Sequence, residues 1–135
     1  MTRRKPIAVM TVFGLGLVFV SAARANPASD VCASLVNARI ALYSMMKAKD
    51  ESAQDALKAK MQAASTKLDS ALADMTGADA KIAADFKAIW DQFKATRDKE
   101  IIPAIHTGNT DDARKLADGI QYERFSKMWS IMSCK

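Results

Sequence analysis

One run of residues limits the fold more than any other. Leu57, Met61, Ala64, Leu68, Ala71 and Met75 follow one another at spacings of four and three without a gap. This is a heptad seam, one apolar face of a long α-helix that other helices must cover. The rest of the chain agrees. Of 135 residues only five are Gly and 7 % are aromatic, while Ala, Lys, Asp and Met abound. That composition disfavours a β-sandwich or barrel, which needs many turns and β-branched residues. An apolar share of 50 % and a charged share of 26 % argue against intrinsic disorder.

Three more helices flank the seam. The first begins near Ala28, with Ser29 or Asp30 as its cap, and runs to about Lys49. Ser52 is the expected cap of the second, which closes at Met75 before Thr76-Gly77. The third runs from about Asp79 to His106, with Ile82, Phe86, Ile89 and Phe93 on one stripe and Trp90 beside it. Pro103 lies inside it, and because Ile105 continues an apolar face the helix is expected to kink there and continue. Thr107-Gly108-Asn109 breaks the pattern. Thr110 is the expected cap of the fourth helix, Asp111 and Asp112 suit its positive end, and it runs to about Met132. Four such helices with short loops predict an all-α, antiparallel up-down-up-down four-helix bundle over residues 26–135.

Residues 1–25 read as a secretory signal peptide. Arg3, Arg4 and Lys5 precede an apolar run from Ile7 to Val20, and Ala23 and Ala25 occupy the small positions of a cleavage site after Ala25. The run is too short to cross ~30 Å of hydrocarbon comfortably, which counts against the rival reading, an uncleaved membrane anchor. The apolar residues expected after a twin-arginine pair are missing, which favours the general export route. A periplasmic location follows, with no membrane span after cleavage. The formal charge of +5 is mostly a property of this leader: it holds Arg3, Arg4, Lys5 and Arg24 and no acid, so four of 20 basic groups leave against 15 acids, and +1 remains. Nucleic-acid binding needs a clustered basic footprint and loses its support.

Two cysteines in an exported chain pair as a rule. Cys32 lies at the start of the first helix and Cys134 at the end of the fourth, and an up-down bundle brings those two places to one end. The spacing offers no C-x-x-C redox pair and no C-x-x-C-H haem attachment, and two Cys with one His do not make a zinc site.

The chemistry-bearing candidates are few. Arg39 falls in the middle of the apolar arc made by Cys32, Leu35, Val36, Leu42, Tyr43 and Met46. A guanidinium there pairs with a buried acid such as Glu100 or Glu123, snorkels to water, or grips an anionic ligand. Tyr43, one turn on, and Arg124, on the fourth helix, complete the candidate ligand-binding set. Arg97 and Glu100 extend the stripe of the third helix beyond Phe93 and are expected to reach water where the bundle opens. The fourth helix shows two apolar faces, one with Ala113, Leu116, Ala117, Ile120 and Ile131, the other with Tyr122, Phe125, Trp129 and Met132. Either the core face shifts after Gly119, or the second face meets a partner, a second copy joined through helices 1 and 4. His106 reads as a surface residue at a helix end. With no carboxylate pair, nucleophile–base set or phosphate loop, the expectation is a protein that is no enzyme and holds no metal or cofactor.

The run FKAIWDQFKATRDKEIIPAIHTGNTDDARKLADG, from Phe86 to Gly119, resembles the third helix, turn and fourth helix of the four-helix-bundle sensor domain of methyl-accepting chemotaxis receptors. The shared features are a mid-helix aromatic, an aliphatic-rich end, a Gly-Asn turn and an Ala-rich start to the last helix. The second membrane span, relay linker and coiled coil of those receptors have no counterpart here. The resemblance thus implies a sensor bundle released into the periplasm, signalling only through a partner. In that family arginines between helices hold anionic ligands, which implies Arg39 by placement. The mature length, the export signal and the final Gly-x-x-x-x-Ala helix also resemble the periplasmic b-type cytochrome bundle, which implies the alternative of a haem electron carrier. That family's axial Met and His correspond to about Cys32 and to a last helix that has Met128 and no His. A structural or stress-related bundle without ligand is the third reading. The Leu-Thr-x-x-Gln signature of periplasmic stress-chaperone bundles does not occur.

Overall fold

The computed structural model describes residues 26–135; the leader and its cleavage site after Ala25 lie outside the described residues. Six α-helices form four rods. The first two rods are α1 (Pro27–Lys47) and α2 (Glu51–Ala73). The third joins α3 (Ala80–Thr96), a π-helical turn (Arg97–Ile101) and α4 (Ile102–His106). The fourth joins α5 (Thr110–Asp118) and α6 (Ile120–Ile131). The long contacts run along α1 against α2 and along α3 against α6, so the bundle is two helical hairpins laid face to face. Met45, Met46, Met61, Met75, Met128 and Met132 are all buried in the shared core, where their flexible side chains fill irregular gaps.

The helix starts differ from the sequence expectation. Asn26, not Ser29 or Asp30, caps α1: its side chain accepts from Ala28 N at 3.1 Å, and Pro27 takes the first helical position, where no N–H is needed. Asp50, not Ser52, caps α2 and accepts from Ala53 N at 2.8 Å. In both cases the capping residue lies two to four positions upstream of the residue expected. Thr110 is the first residue of α5, with Asn109 at the cap position and no side-chain cap bond there.

Two rod ends close in the same way. After α4, Gly108 N donates to Ile105 O and Asn109 N to Ala104 O, with Gly108 at φ +82°. After α6, Ser133 N donates to Ser130 O and Cys134 N to Trp129 O, with Ser133 at φ +53°. Both are Schellman turns, in which a left-handed residue lets the chain satisfy its last carbonyls. The second turn carries Cys134 back to Cys32. The expected disulfide is formed, with Cα atoms 5.7 Å apart across a sequence separation of 102.

The third rod passes through Pro103 and continues to His106, which is exposed at its end. The relief comes just before the proline. In the π turn Ile102 N reaches back five residues to Arg97 O. The widened turn removes the crowding that the proline ring would impose on the preceding carbonyls. It also inserts one residue into the seam. An unbroken α-helix would follow Ala83, Phe86, Trp90, Phe93 and Arg97 with Glu100 facing inward. Instead Ile101, Ile102 and Ile105 are buried and Glu100 is exposed. Arg97 does not reach water: it is only 3 % exposed.

The fourth rod is interrupted at Gly119. A Cβ there would lie 2.8 Å from Lys115 O, a backbone atom that cannot move aside cheaply. Before the break Ala113 and Ala117 are buried; after it Gln121, Met128 and Met132 are, while Ile120 and Tyr122 are exposed. The core face therefore shifts, and Ile120 does not continue the stripe of Ala113 and Ala117.

Candidate ligand-binding site

The inward residues of α1 are Val31, Leu35, Ala38, Leu42 and Met45. Arg39 and Tyr43 therefore stand at the edge of the apolar face, half-buried, and not at its centre. Neither Glu100 nor Glu123 pairs with Arg39; both are exposed. Its guanidinium is held by aromatic rings, 4.7 Å from the centroid of Phe125, 5.1 Å from Tyr43 and 5.3 Å from Tyr122. Such contacts stabilise a cation by about 0.5–2 kcal/mol each, the upper end applying when water is excluded. They leave the edge of the guanidinium free to donate.

Arg39 Nη2 donates to Tyr43 Oη at 3.1 Å, and Tyr43 Oη donates to Asp118 Oδ1 at the end of α5. Burial pushes the Tyr43 phenol above its ordinary value, and the hydrogen bond to Asp118 adds to the rise, while Arg39 pulls the other way. The phenol thus stays a neutral donor at ordinary pH. Beside this cluster a shallow groove of about 310 Å³ is lined by Val36, Arg39, Ile40, Tyr43, Ser44, Lys47 and Phe125. Arg114 lies 6.0 Å from the Tyr43 ring. Two cations, Arg39 and Lys47, line the groove, and among the described residues no carboxylate does.

Arg124 is not part of this cluster. Its Nη1 donates to Thr96 Oγ1 at 2.7 Å, to Gln121 Oε1 at 3.0 Å and to Gln92 O at 3.4 Å, all toward α3 or within α6. Gln121, 1 % exposed, in turn donates through Nε2 to Phe93 O at 2.8 Å. Arg124 is a clamp between α6 and the turn before the π segment. Nearby, Arg97 Nη1 donates to Ser65 Oγ at 2.7 Å and Nε to Asp98 Oδ1 at 2.8 Å. Trp90 packs under Arg97 and donates its indole N–H to Asp69 Oδ1 at 2.7 Å, which lets a fully buried Trp stay satisfied.

Tyr122, Phe125 and Asp118 belong to the cluster although the pattern of the first helix does not point to them. The local signal is the spacing of four from Arg39 to Tyr43 to Lys47, which puts all three on one helix face. The positions matching the haem ligands of the cytochrome bundles are committed elsewhere: Cys32 to the disulfide, Met128 to the core at 0 % exposure. Among the described residues no helix is long and apolar enough to cross a membrane.

A family model described as a four helix bundle sensory module for signal transduction matches residues 22–133. Comparison with curated proteins and with solved structures returns no match.

Proposed function

The chain belongs to the family of four-helix-bundle sensory modules for signal transduction, and from that premise we propose that it is an exported, non-enzymatic sensor bundle that binds a small organic carboxylate in the groove between α1 and α6. Residues 1–25 serve as its secretory signal, and the Cys32–Cys134 disulfide suits the oxidising compartment beyond the inner membrane. The observation that carries the ligand reading is Arg39. It is half-buried and held by three rings, and among the described residues no carboxylate pairs with it directly. A guanidinium so placed matches a carboxylate bidentately. Lys47 adds a second cation, and Val36, Ile40 and Phe125 supply apolar walls. The fitting ligand is therefore an anion with an apolar body.

The test is a thermal-shift and calorimetric screen of acetate, benzoate, succinate and the amino acids against the wild type and Arg39→Ala. The variant loses three cation–π contacts of a half-buried group, about 1.5–3 kcal/mol together at the partly exposed end of the range, and its fold is checked by helical circular dichroism. Its binding should drop at least ~30-fold, the loss of a charge-assisted bidentate contact of about 2 kcal/mol. A ligand that binds both proteins equally sinks the reading. A second copy of the chain is the other occupant of this face, favoured by Ile40 at 58 % and Tyr122 at 53 % exposure beside the groove. Sedimentation equilibrium of the wild type and Tyr122→Ser decides between monomer and dimer.

A further inference from the structure

We infer that Asp118 is a built-in competitor for the ligand carboxylate, and that its displacement carries occupancy of the groove to the α5–α6 break. The inference rests on the groove reading above and adds to it a residue and a route. Arg39 has five N–H donors, and among the described residues its one hydrogen bond goes to Tyr43 Oη. The Tyr43 hydroxyl has a single proton, and Asp118 Oδ1 accepts it. The guanidinium edge and the phenol oxygen lie 3.1 Å apart, so a carboxylate that bridges them takes the phenol proton from Asp118. One phenol proton cannot serve two carboxylates, and two carboxylates at one hydroxyl repel each other. The ligand therefore binds as Asp118 leaves.

What Asp118 holds makes its release matter. It is the last residue of α5, next to Gly119, where the fourth rod is interrupted. It is exposed, and α5 otherwise shares little contact with α1. The Tyr43–Asp118 bond is thus the polar tie between the end of α5 and the helix that carries Arg39. With the tie broken, the joint at Gly119 loses its restraint on that side. Strong apolar packing of Ala113 and Ala117 keeps the rest of α5 in place.

Benzoate titrations of the wild type, Asp118→Asn and Arg39→Ala test the competition. Asn keeps an acceptor for the phenol and removes the charge. D118N should bind benzoate about three- to ten-fold more tightly, the size expected from deleting one like charge about 6 Å away near water. Hydrogen exchange tests the route: amides of residues 113–123 should exchange faster in the wild type when benzoate is saturating, and faster in ligand-free D118A than in ligand-free wild type. A D118N chain that binds benzoate no better than the wild type overturns the competition, including the case where neither binds. Unchanged exchange in D118A overturns the route. If R39A abolishes binding while D118N leaves affinity unchanged, the groove reading stands and the inference falls; binding indifferent to R39A removes the groove reading itself.

Discussion

Replacing Arg97 separates the need for its volume from the need for its charge. The guanidinium is nearly out of water at 3 % residue exposure, yet Asp98, its ion-pair partner, has a side chain 53 % exposed. Taking a guanidinium out of water costs several kcal/mol even after relaxation. Against that, the hydrogen bond to Ser65 returns about 1.5–3 kcal/mol, the half-solvated pair with Asp98 about 0–1, and the face of Trp90 about 1. The two sides nearly cancel. Arg97→Met keeps most of the volume and removes the charge. Ser65 Oγ retains its bond to Met61 O at 3.0 Å, and Asp98 turns to water, so no polar group is orphaned. The expected change for R97M is within about 1 kcal/mol of zero. Arg97→Ala leaves a void beside Trp90 and should cost about 2–4 kcal/mol, as large-to-small core changes do. Urea unfolding followed by helical circular dichroism, with the disulfide intact, measures both. If R97M costs more than about 3 kcal/mol, with the same denaturant slope as the wild type, the charge is a net stabiliser and the reasoning is refuted.

Three other outcomes are expected. Reducing the chain, or converting both Cys32 and Cys134 to Ser, should lower stability by about 4–5 kcal/mol, since the bridge closes a loop spanning 102 positions; denaturation with and without reductant gives the difference. Gly119→Ala places a methyl 2.8 Å from Lys115 O and should cost about 1–3 kcal/mol, read as a fall in Tm; an unchanged Tm would show that the backbone joint yields freely. Tyr43 is protonated more tightly in the folded chain than in the unfolded one. Its contribution to stability is therefore complete below about pH 10, its ordinary value, and is lost as pH rises through the raised folded value. The wild type minus Tyr43→Phe difference in stability should shrink over that window, and a difference that grows instead contradicts the sign.

The bundle itself was legible because it depends on spacing. The three-and-four steps from Leu57 to Met75 survive in the buried Met61, Leu68, Ala71 and Met75. The breaks at Gly77 and Gly108 carry positive φ in the structure, and helix order alone brought Cys32 and Cys134 together. Spacing failed where the backbone changes its own period. The π turn moves the seam from Glu100 to Ile101, so Glu100 reaches water as expected, whereas Arg97, also expected in water, stays on the buried stripe because Ser65 and Trp90 receive it. The site was half legible. Arg39 and Tyr43 share a face by simple periodicity, but the rings of Tyr122 and Phe125 reach them only through tertiary packing. The hydrogen bonds of Arg124 were not legible either: its partners Gln92 and Thr96 lie on another rod, about thirty positions away, with no local mark.

The disulfide has a mechanical meaning beyond its stability. The hairpin of α1 and α2 is joined covalently to the hairpin of α3 to α6 at two places, the chain segment around Gly77 and the Cys32–Cys134 bond. In an antiparallel bundle both places lie at the same end. The opposite end, with the α1–α2 loop and the turn at Gly108, has no covalent link between the hairpins. The molecule is thus a tuning fork with a welded stem. A rod of 21 residues such as α1 is about 30 Å long, so tilting one tine by about 5° moves its tip by about 3 Å while the stem hardly stirs.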